Sequence, residues 1–573
     1  LNNHIGKHEY KILFAIGSLI GILCFLCIYG IRILDFTYDA WLMNGDIDLR
    51  QHYLGWCHYR MSDWHFPMGM IDTLSYPNRV SVIWTDSIPL FALCFKIFRN
   101  ILPVTFQYFG LFGLLSFFLQ GGIAILLIRR ITANKLICIL SVPFFTLSFN
   151  VLQRMYYHTA LGAQWIILLA LLVWFYQDRF KNMVTKGIAW SGIGFLCVSI
   201  HSYFVPMTAI IMIGSMADDC LRREKDTRKK QIWHNGAIVI SFCMVVLLTL
   251  FLWGAFYENT SPIGEGLGTF GSNLNTFFNP LSYSALFDGL PLYYDFQYEG
   301  FGYLGAGMLM MTSVAIVIAL ILFVRKRKSL SRTFAKKHAS EIVFALIVIG
   351  FIMLAVLPMV TLGDTKWFGV PYPSFIDKML GVFRSNGRFI WVPVYSIMLG
   401  TIALHTRYSK IERVSQRKNG VVVVSFIVIC LMIQILDVSK IVKEKETYFA
   451  QTTHHYQSLW DISEINSIIE PYQHFVFLYD ENDIIMDTAY YAYYHDMTLN
   501  NYYFARSYEE QINSTIEEYY AELEQGKIRD DVIYIFREND LVRISGSGLH
   551  LYKLGNHMIG FAEEITSGLP KQD

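Results

Sequence analysis

Residues 35–86 hold seven aspartates and three arginines, with no lysine or glutamate, between long apolar runs. A carboxylate in such a loop, outside the membrane, can serve as a general base towards a hydroxyl within hydrogen-bond reach. Asp48 is the leading candidate, and Asp46, two residues earlier, shares or competes for that role. The plain alternative is a solvated aspartate at the turn signalled by Asn44-Gly45-Asp46. Asp86 precedes Ser87-Ile88-Pro89-Leu90, which reads as a helix start with Asp or Ser as N-cap and Pro in the first turn. A capping carboxylate can also face a cavity.

Cationic candidates lie further on. Arg384 and Arg388 flank Ser385-Asn386-Gly387 at a predicted helix start. Guanidinium groups bind phosphate bidentately and helix N-terminal amides add to them. Snorkelling to the membrane surface explains one such arginine better than two. Arg154 and His158 are four residues apart and share a face if their turn is helical. His201 tips the next helical hairpin; a histidine at the membrane surface is often just an interfacial polar residue. Glu299, in Tyr298-Glu299-Gly300-Phe301, is either a polar contact at a helix mouth or an acid favoured by the helix dipole. The glycines that follow would permit a ligand-hugging backbone. Tryptophans and tyrosines in these loops fit an aromatic belt and would also suit sugar stacking.

The elements that hold these residues are membrane helices. Of 573 residues, 54% are hydrophobic and 16% charged, against about 25% charged in soluble proteins. Several runs reach the ~20 apolar residues that a spanning helix needs. The pattern predicts about eleven spans, near 12–34, 105–128, 136–152, 160–176, 186–200, 203–218, 235–257, 302–324, 340–362, 388–405 and 420–437. Basic loops at Arg129-Arg130, Arg222 to Lys230, Arg325 to Lys337 and Arg407 to Lys418 mark the cytoplasmic side. The N-terminus is then cytoplasmic, and the 35–86 loop and the C-terminal tail are extracytoplasmic. Hairpins 136–152/160–176 and 186–200/203–218 look short and leave an outer recess. The apolar segment 87–102 reads as an interfacial helix with Lys96 and Arg99 at the headgroups. The first run does not read as a cleaved signal peptide.

Residues 438–573 change character. Strand patterns at 474–479, 499–505, 532–536 and 549–554 alternate with helical patterns at 483–497 and 508–525. This predicts a small extracytoplasmic α/β domain beside a transmembrane domain over 1–437. The nine cysteines show neither a disulfide framework nor zinc spacing. No metal ligand set, phosphate loop or nucleic-acid partner is indicated, and the bilayer is the expected surroundings.

Several short stretches, in order, resemble the GT-C superfamily of membrane glycosyltransferases, and more closely an uncharacterised family of bacterial integral membrane proteins within it. They are Asp48-Leu49-Arg50-Gln51-His52-Tyr53-Leu54-Gly55-Trp56, Trp64-His65-Phe66-Pro67-Met68-Gly69, Thr85-Asp86-Ser87-Ile88-Pro89-Leu90, Arg154 with His158, His201-Ser202-Tyr203-Phe204, Tyr298-Glu299-Gly300-Phe301 and Phe383-Arg384-Ser385-Asn386-Gly387-Arg388-Phe389. The tail matches more loosely. The resemblance implies a polyprenyl-phosphate-linked sugar donor, transfer on the outer face to a cell-envelope acceptor, and a catalytic aspartate in the first external loop, where Asp48 fits by position. His52, Asp86, Arg154, His158, His201, Glu299, Arg384 and Arg388 are then the expected substrate-binding set. Some members of that superfamily need a divalent metal such as Mg or Mn and others do not, so the cofactor stays open. A lipid or polysaccharide transporter would favour inverted repeats and ionisable groups at mid-membrane, which the sequence lacks. An envelope scaffold with an external binding domain is the remaining alternative.

Overall fold

The computed structural model describes residues 7–223, 225–257, 267–326, 338–411, 416–451, 453–479, 482–506, 508–565 and 570–572. Long apolar runs become helices because lipid offers peptide groups no partner, and a helix pairs them within itself. Among the described residues, ten helical spans are long and apolar enough to cross a bilayer: His8–Tyr29, Phe109–Ile131, Lys135–Arg154, Met183–Ile200, Phe204–Arg222, Thr227–Leu252, Ala306–Val324, Ala339–Val356, Asn386–Arg407 and Gly420–Ala450. Thr159–Phe175 is a shorter apolar helix. The fold is that of a polytopic helical membrane protein with a small sheet domain near its C-terminus.

The hairpin expectation needs correction. Lys135–Arg154, a span built from the helices Lys135–Thr146 and Phe149–Arg154, has 20 residues, and Met183–Ile200 and Phe204–Arg222 have 18 and 19, so of the four hairpin arms only Thr159–Phe175 is short. Their ends run on because polar side chains there find partners. Asp218, for example, accepts from Trp174 Nε1 at 3.1 Å and Gln177 Nε2 at 2.8 Å. Much of the basic loops expected at 325–337 and 407–418 lies outside the described residues, as does one position of Arg222 to Lys230.

Packing divides the chain into two compact units. The first contains Leu1–Leu34, Phe109–Leu247 and Ile263–Gln451; the second contains Asp35–Tyr108, Leu248–Pro262 and Thr452–Asp573. The long first loop therefore folds with the C-terminal residues. In the helical unit, the helices Lys7–Tyr29 and Phe109–Ile131 meet through small residues. A Cβ on Gly121 would stand 2.1 Å from the Gly17 carbonyl oxygen, the close backbone approach typical of membrane helix pairs.

In the second unit, the helix Ile47–Met61 begins at Asp46, whose carboxylate accepts from the Asp48 amide at 3.3 Å. All but four of its residues are buried. It packs against the C-terminal residues: Gln51 Nε2 donates to the Tyr503 carbonyl at 2.9 Å, and Tyr502 donates to the Gln51 carbonyl at 3.0 Å. The six-stranded sheet runs in the order Lys571–Gln572, His550–Leu554, His557–Phe561, Val532–Phe536, His474–Phe477, Thr498–Leu499. His474–Phe477 pairs in parallel with both Val532–Phe536 and Thr498–Leu499. Each parallel step needs a crossover, supplied by the helices Asn482–Tyr494 and Glu509–Glu524. The strand expected over 499–505 is only Thr498–Leu499, because the Asn500 side chain takes up the ladder. Its amide donates to the Phe477 carbonyl at 2.9 Å and its oxygen accepts from the Phe477 amide at 2.8 Å. The strand His557–Phe561 was not foreseen. It returns from His550–Leu554 through Gly555-Asn556, with Gly555 at φ 60°, a two-residue hairpin turn.

The segment expected to lie at the headgroups differs. Within 87–102 only Pro89–Lys96 is α-helical. Lys96 is buried, its ammonium 4.1 Å from the Tyr59 ring centroid and donating to the Asp63 carbonyl at 3.1 Å. Local cation–π and carbonyl contacts have replaced solvent.

Candidate functional site

In the helical unit, Arg154 ends the helix Phe149–Arg154 and is fully buried. Its helix is anchored by a buried amide relay: Gln164 Oε1 accepts from Asn150 Nδ2 at 2.5 Å and from the Tyr395 hydroxyl at 2.7 Å. Arg154 Nη2 donates to Glu299 Oε2 at 2.7 Å. Arg388 Nε donates to the same oxygen at 2.7 Å. One carboxylate thus bridges two guanidinium groups, and all three side chains are buried. Burial alone would raise the Glu299 carboxyl, but Arg154 and Arg388 overcome it and hold the group well below the usual range.

Glu299 lies on the 3₁₀ turn Asp295–Gly300 and Arg388 on the 3₁₀ turn Asn386–Ile390. Two glycines let these turns touch: a Cβ on Gly387 would stand 2.5 Å from the Phe270 carbonyl oxygen and 2.7 Å from Gly300 Cα. Ser272 Oγ ties them together, donating to the carbonyls of Gly300 at 3.2 Å and Gly387 at 3.0 Å. Asn386 Nδ2 donates to the Leu357 carbonyl at 2.6 Å.

The histidines join this cluster. His158 feels the charges of Arg388, Arg154 and Glu299; burial first, then the two arginines, push its imidazole well below the ordinary value. Its ring lies 5.1 Å from that of His201. His201 Nδ1 accepts from the Tyr203 amide at 3.2 Å, which puts the proton of neutral His201 on Nε2. The Arg388 guanidinium sits 4.4 Å from the Tyr203 ring centroid, and Arg154 lies over Tyr298 and Trp391 at 5.9 and 5.7 Å.

Arg154, His158, His201, Glu299 and Arg388 therefore come together. Two expectations change. Arg154 and His158 do not share a helix face, because the helix ends at Arg154 and Tyr156 turns left-handed at φ 63°. The arginine pair is split: Arg388 is buried on Glu299, while Arg384 is exposed, 5.5 Å from the Phe270 ring centroid. Sequence reasoning missed Tyr203 as the partner of Arg388. The sign was its place two residues after His201.

In the second unit, Asp48 occupies the first turn of Ile47–Met61, and His52 is buried one turn later. A His52 ring nitrogen and an Asp86 carboxylate oxygen lie within 4.8 Å of each other. The turn carrying Asp86 presses on this helix. Ser87 Oγ donates to the His52 carbonyl at 2.7 Å, and a Cβ on Gly55 would stand 2.3 Å from Thr85 Oγ1. Asp86 is not the expected N-cap. It follows the 3₁₀ turn Val82–Thr85 at φ 50°, and the helix Pro89–Lys96 starts after Ile88, itself at φ 54°. A β-branched residue in that region is strained, at about 1–3 kcal/mol, and Ile88 is held there fully buried. Asp46 proves to be the cap of the Asp48 helix.

The family model described as Domain of unknown function (DUF6311) matches residues 18–439, and that of the DUF6311 C-terminal domain matches residues 464–562. The chain belongs to the DUF6311 family. Asp48 and the eight expected substrate-binding residues all fall inside the DUF6311 match at 18–439. No curated protein sequence matches this DUF6311 chain. Among solved structures it is similar to the apo crystal structure of an oligosaccharyltransferase from Archaeoglobus fulgidus, at 10% identity and a TM-score of 0.43, over 99% of this chain and 76% of that one.

Proposed function

We propose that the chain is a membrane glycosyltransferase that moves a sugar from a polyprenyl-phosphate-linked donor to an extracytoplasmic acceptor, with inversion. The reading rests on the order of short motifs shared with GT-C enzymes. The observation that carries it is the setting of Asp48. It sits in the first turn of a rigid, mostly buried helix, capped by Asp46 and followed one turn later by His52, which lies close to Asp86. A helix N-terminus favours an ionised carboxylate, the form that a general base needs.

In the proposed step the acceptor oxygen attacks the anomeric carbon and its proton passes to Asp48. The bond from that carbon to the lipid phosphate breaks, and the phosphate leaves with the electron pair. In the helical unit, the cluster of Arg154, Glu299 and Arg388 suits an anionic leaving group, because preorganised guanidinium groups stabilise developing phosphate charge. Arg154 Nε is buried and makes no hydrogen bond among the described residues, so a donor remains for a ligand or water. His158 and His201 are assigned to positioning beside it. The topology proposed is an N-terminus in the cytoplasm and a sheet domain outside.

The test is mass spectrometry of envelope glycans and lipid-linked sugars in cells lacking the gene, complemented with wild type, Asp48→Asn or Asp46→Asn. We expect a missing glycan and an accumulated lipid-linked sugar that wild type and Asp46→Asn restore and Asp48→Asn does not. Full restoration by Asp48→Asn would refute the base assignment. An unchanged glycan and lipid profile on gene loss would refute the transferase.

A further inference from the structure

The turn that follows the helix Pro89–Lys96 exposes its apolar side chains. Ile97, Phe98, Ile101 and Val104 are each at least half exposed, and so are Trp64 and Phe66, which follow the helix Ile47–Met61. The two stretches lie together in the second unit: Lys96 Nζ is 5.1 Å from the Trp64 ring centroid, and Arg99 Nη1 donates to the Ser62 carbonyl at 2.6 Å. Large apolar patches are rare on soluble monomers and mark a surface that something covers.

The backbone of this turn is satisfied from within. Arg60, itself buried, donates through Nη1 to the carbonyls of Pro103 at 2.5 Å and Val104 at 3.3 Å, and through Nη2 to those of Arg99 at 2.8 Å and Leu102 at 2.6 Å. In return, Arg99 Nη1 donates to the Arg60 carbonyl at 3.4 Å. The Val104 carbonyl also accepts from the Tyr493 hydroxyl at 2.8 Å. In water, the carbonyls of a surface turn can be solvated and need no such donor. Hydrocarbon offers no donor, and irregular backbone persists there only where protein groups supply one. A guanidinium devoted to four carbonyls, in a turn whose apolar side chains face outward, is what an apolar surrounding requires.

Lipid is the surrounding in reach. The last residues of the span Thr227–Leu252, from Leu248 on, belong to the second unit. The Phe66 ring packs edge-on against that of Phe251, with centroids 5.8 Å apart, and the Met68 amide donates to the Leu252 carbonyl at 2.9 Å. Leu248 and Phe251 are exposed on the span, where a membrane helix faces lipid. The apolar surface therefore continues from the end of a spanning helix onto Phe66 and Trp64 and then onto the turn 97–104. Tryptophan is favoured at the boundary between lipid and water.

We propose that the turn 97–104, with Trp64 and Phe66, is a wedge set into the phospholipid leaflet beside the end of the span Thr227–Leu252. Its partner is the boundary between headgroups and acyl chains. The contact differs from the one expected from the sequence: Lys96 and Arg99 donate to protein carbonyls, and the side chains that enter lipid are apolar. Arg60 and Arg99 couple the wedge to the helix Ile47–Met61, so it sets the depth at which the second unit rides on the bilayer. The wedge goes beyond the transferase reading and does not depend on it.

The test uses the full chain in vesicles of phosphatidylethanolamine and phosphatidylglycerol. A benzophenone photo-crosslinking side chain is placed, one position at a time, at Phe98, at Ile101, at Leu248 on the span, and at Val542, which is 85% exposed near the C-terminal sheet. After irradiation, mass spectrometry of the protein reads phospholipid adducts. We expect adducts at Phe98, Ile101 and Leu248 and none at Val542. Arg60→Ala, which removes the donor from four carbonyls, should abolish the Phe98 adduct and keep the Leu248 one. An adduct at Leu248 with none at Phe98 and Ile101 would overturn the proposal. So would equal yields at Phe98 and Val542, or a cross-link from Phe98 to a second copy of the chain in place of lipid. A Phe98 adduct unchanged by Arg60→Ala would overturn the role given to the guanidinium. If Arg60→Ala does not fold, the cross-links of the otherwise wild-type chain decide.

Discussion

Burial pulls the His58 imidazole down to about 4, against a partial offset from the Ala489 carbonyl. Its Nε2 lies 2.9 Å from that carbonyl and its Nδ1 3.0 Å from Thr73 Oγ1, a pattern that fits the neutral ring. The unfolded chain would take up a proton near 6.5. Stability is therefore complete above about pH 6.5 and falls as pH drops towards 4, by up to about 3 kcal/mol for this group. Thermal melts of wild type and His58→Gln between pH 4 and 8 should show a steeper acid loss in wild type. Parallel curves would mean that another group governs it. At this scale the sequence was partly legible. Arg154, His158, His201, Glu299 and Arg388 stood out because they are charged or titratable side chains near helix ends outside the basic loops. The way they divide was not legible: Arg384 and Arg388 are equal in sequence, yet only one is buried on Glu299. His454 Nε2 lies 3.1 Å from Asp35 Oδ2 across 419 residues of chain, and no local pattern joins them.

The two 3₁₀ turns that carry Glu299 and Arg388 meet only because Gly300 and Gly387 have no side chains. A methyl on Gly387 would meet backbone atoms of Phe270 and Gly300, which cannot rotate away. Gly387→Ala should cost about 1–3 kcal/mol through forced backbone shifts and loosen the guanidinium bridge. Gly400→Ala, with nothing within 4 Å, is the matched control. Comparing their melting temperatures in detergent checks the claim, and equal values would show that the turns do not depend on close approach. Helices and strands with regular patterns were legible, such as Val532–Phe536. The shortened strand at Thr498–Leu499 was not, because a side chain, Asn500, completes the ladder and periodicity records only apolar positions.

The sequence suggested that the tail could hold a core of its own, yet its helix Asn482–Tyr494 receives His58 on the Ala489 carbonyl and Asp39 on Tyr490. Residues 452–573 expressed alone should therefore be molten or aggregated. A chain fusing 35–108 to 452–573 should show more dispersed amide resonances. A well-dispersed spectrum from the tail alone would contradict this. The outer strand Thr498–Leu499 adds a related point: the Leu499 amide donates to the Thr73 carbonyl, and its carbonyl accepts from the Tyr76 amide, both at 2.8 Å. The first loop thus covers an edge that would otherwise invite pairing with another chain. Synthesis imposes an order on that union. Gln51 leaves the ribosome 452 residues before its partner Tyr503. At about 5–20 residues per second, the loop waits roughly 20–90 s with its binding face open. During that interval the nascent chain carries an unshielded apolar face, and its yield should depend on how that face is covered more than on the stability of the finished fold.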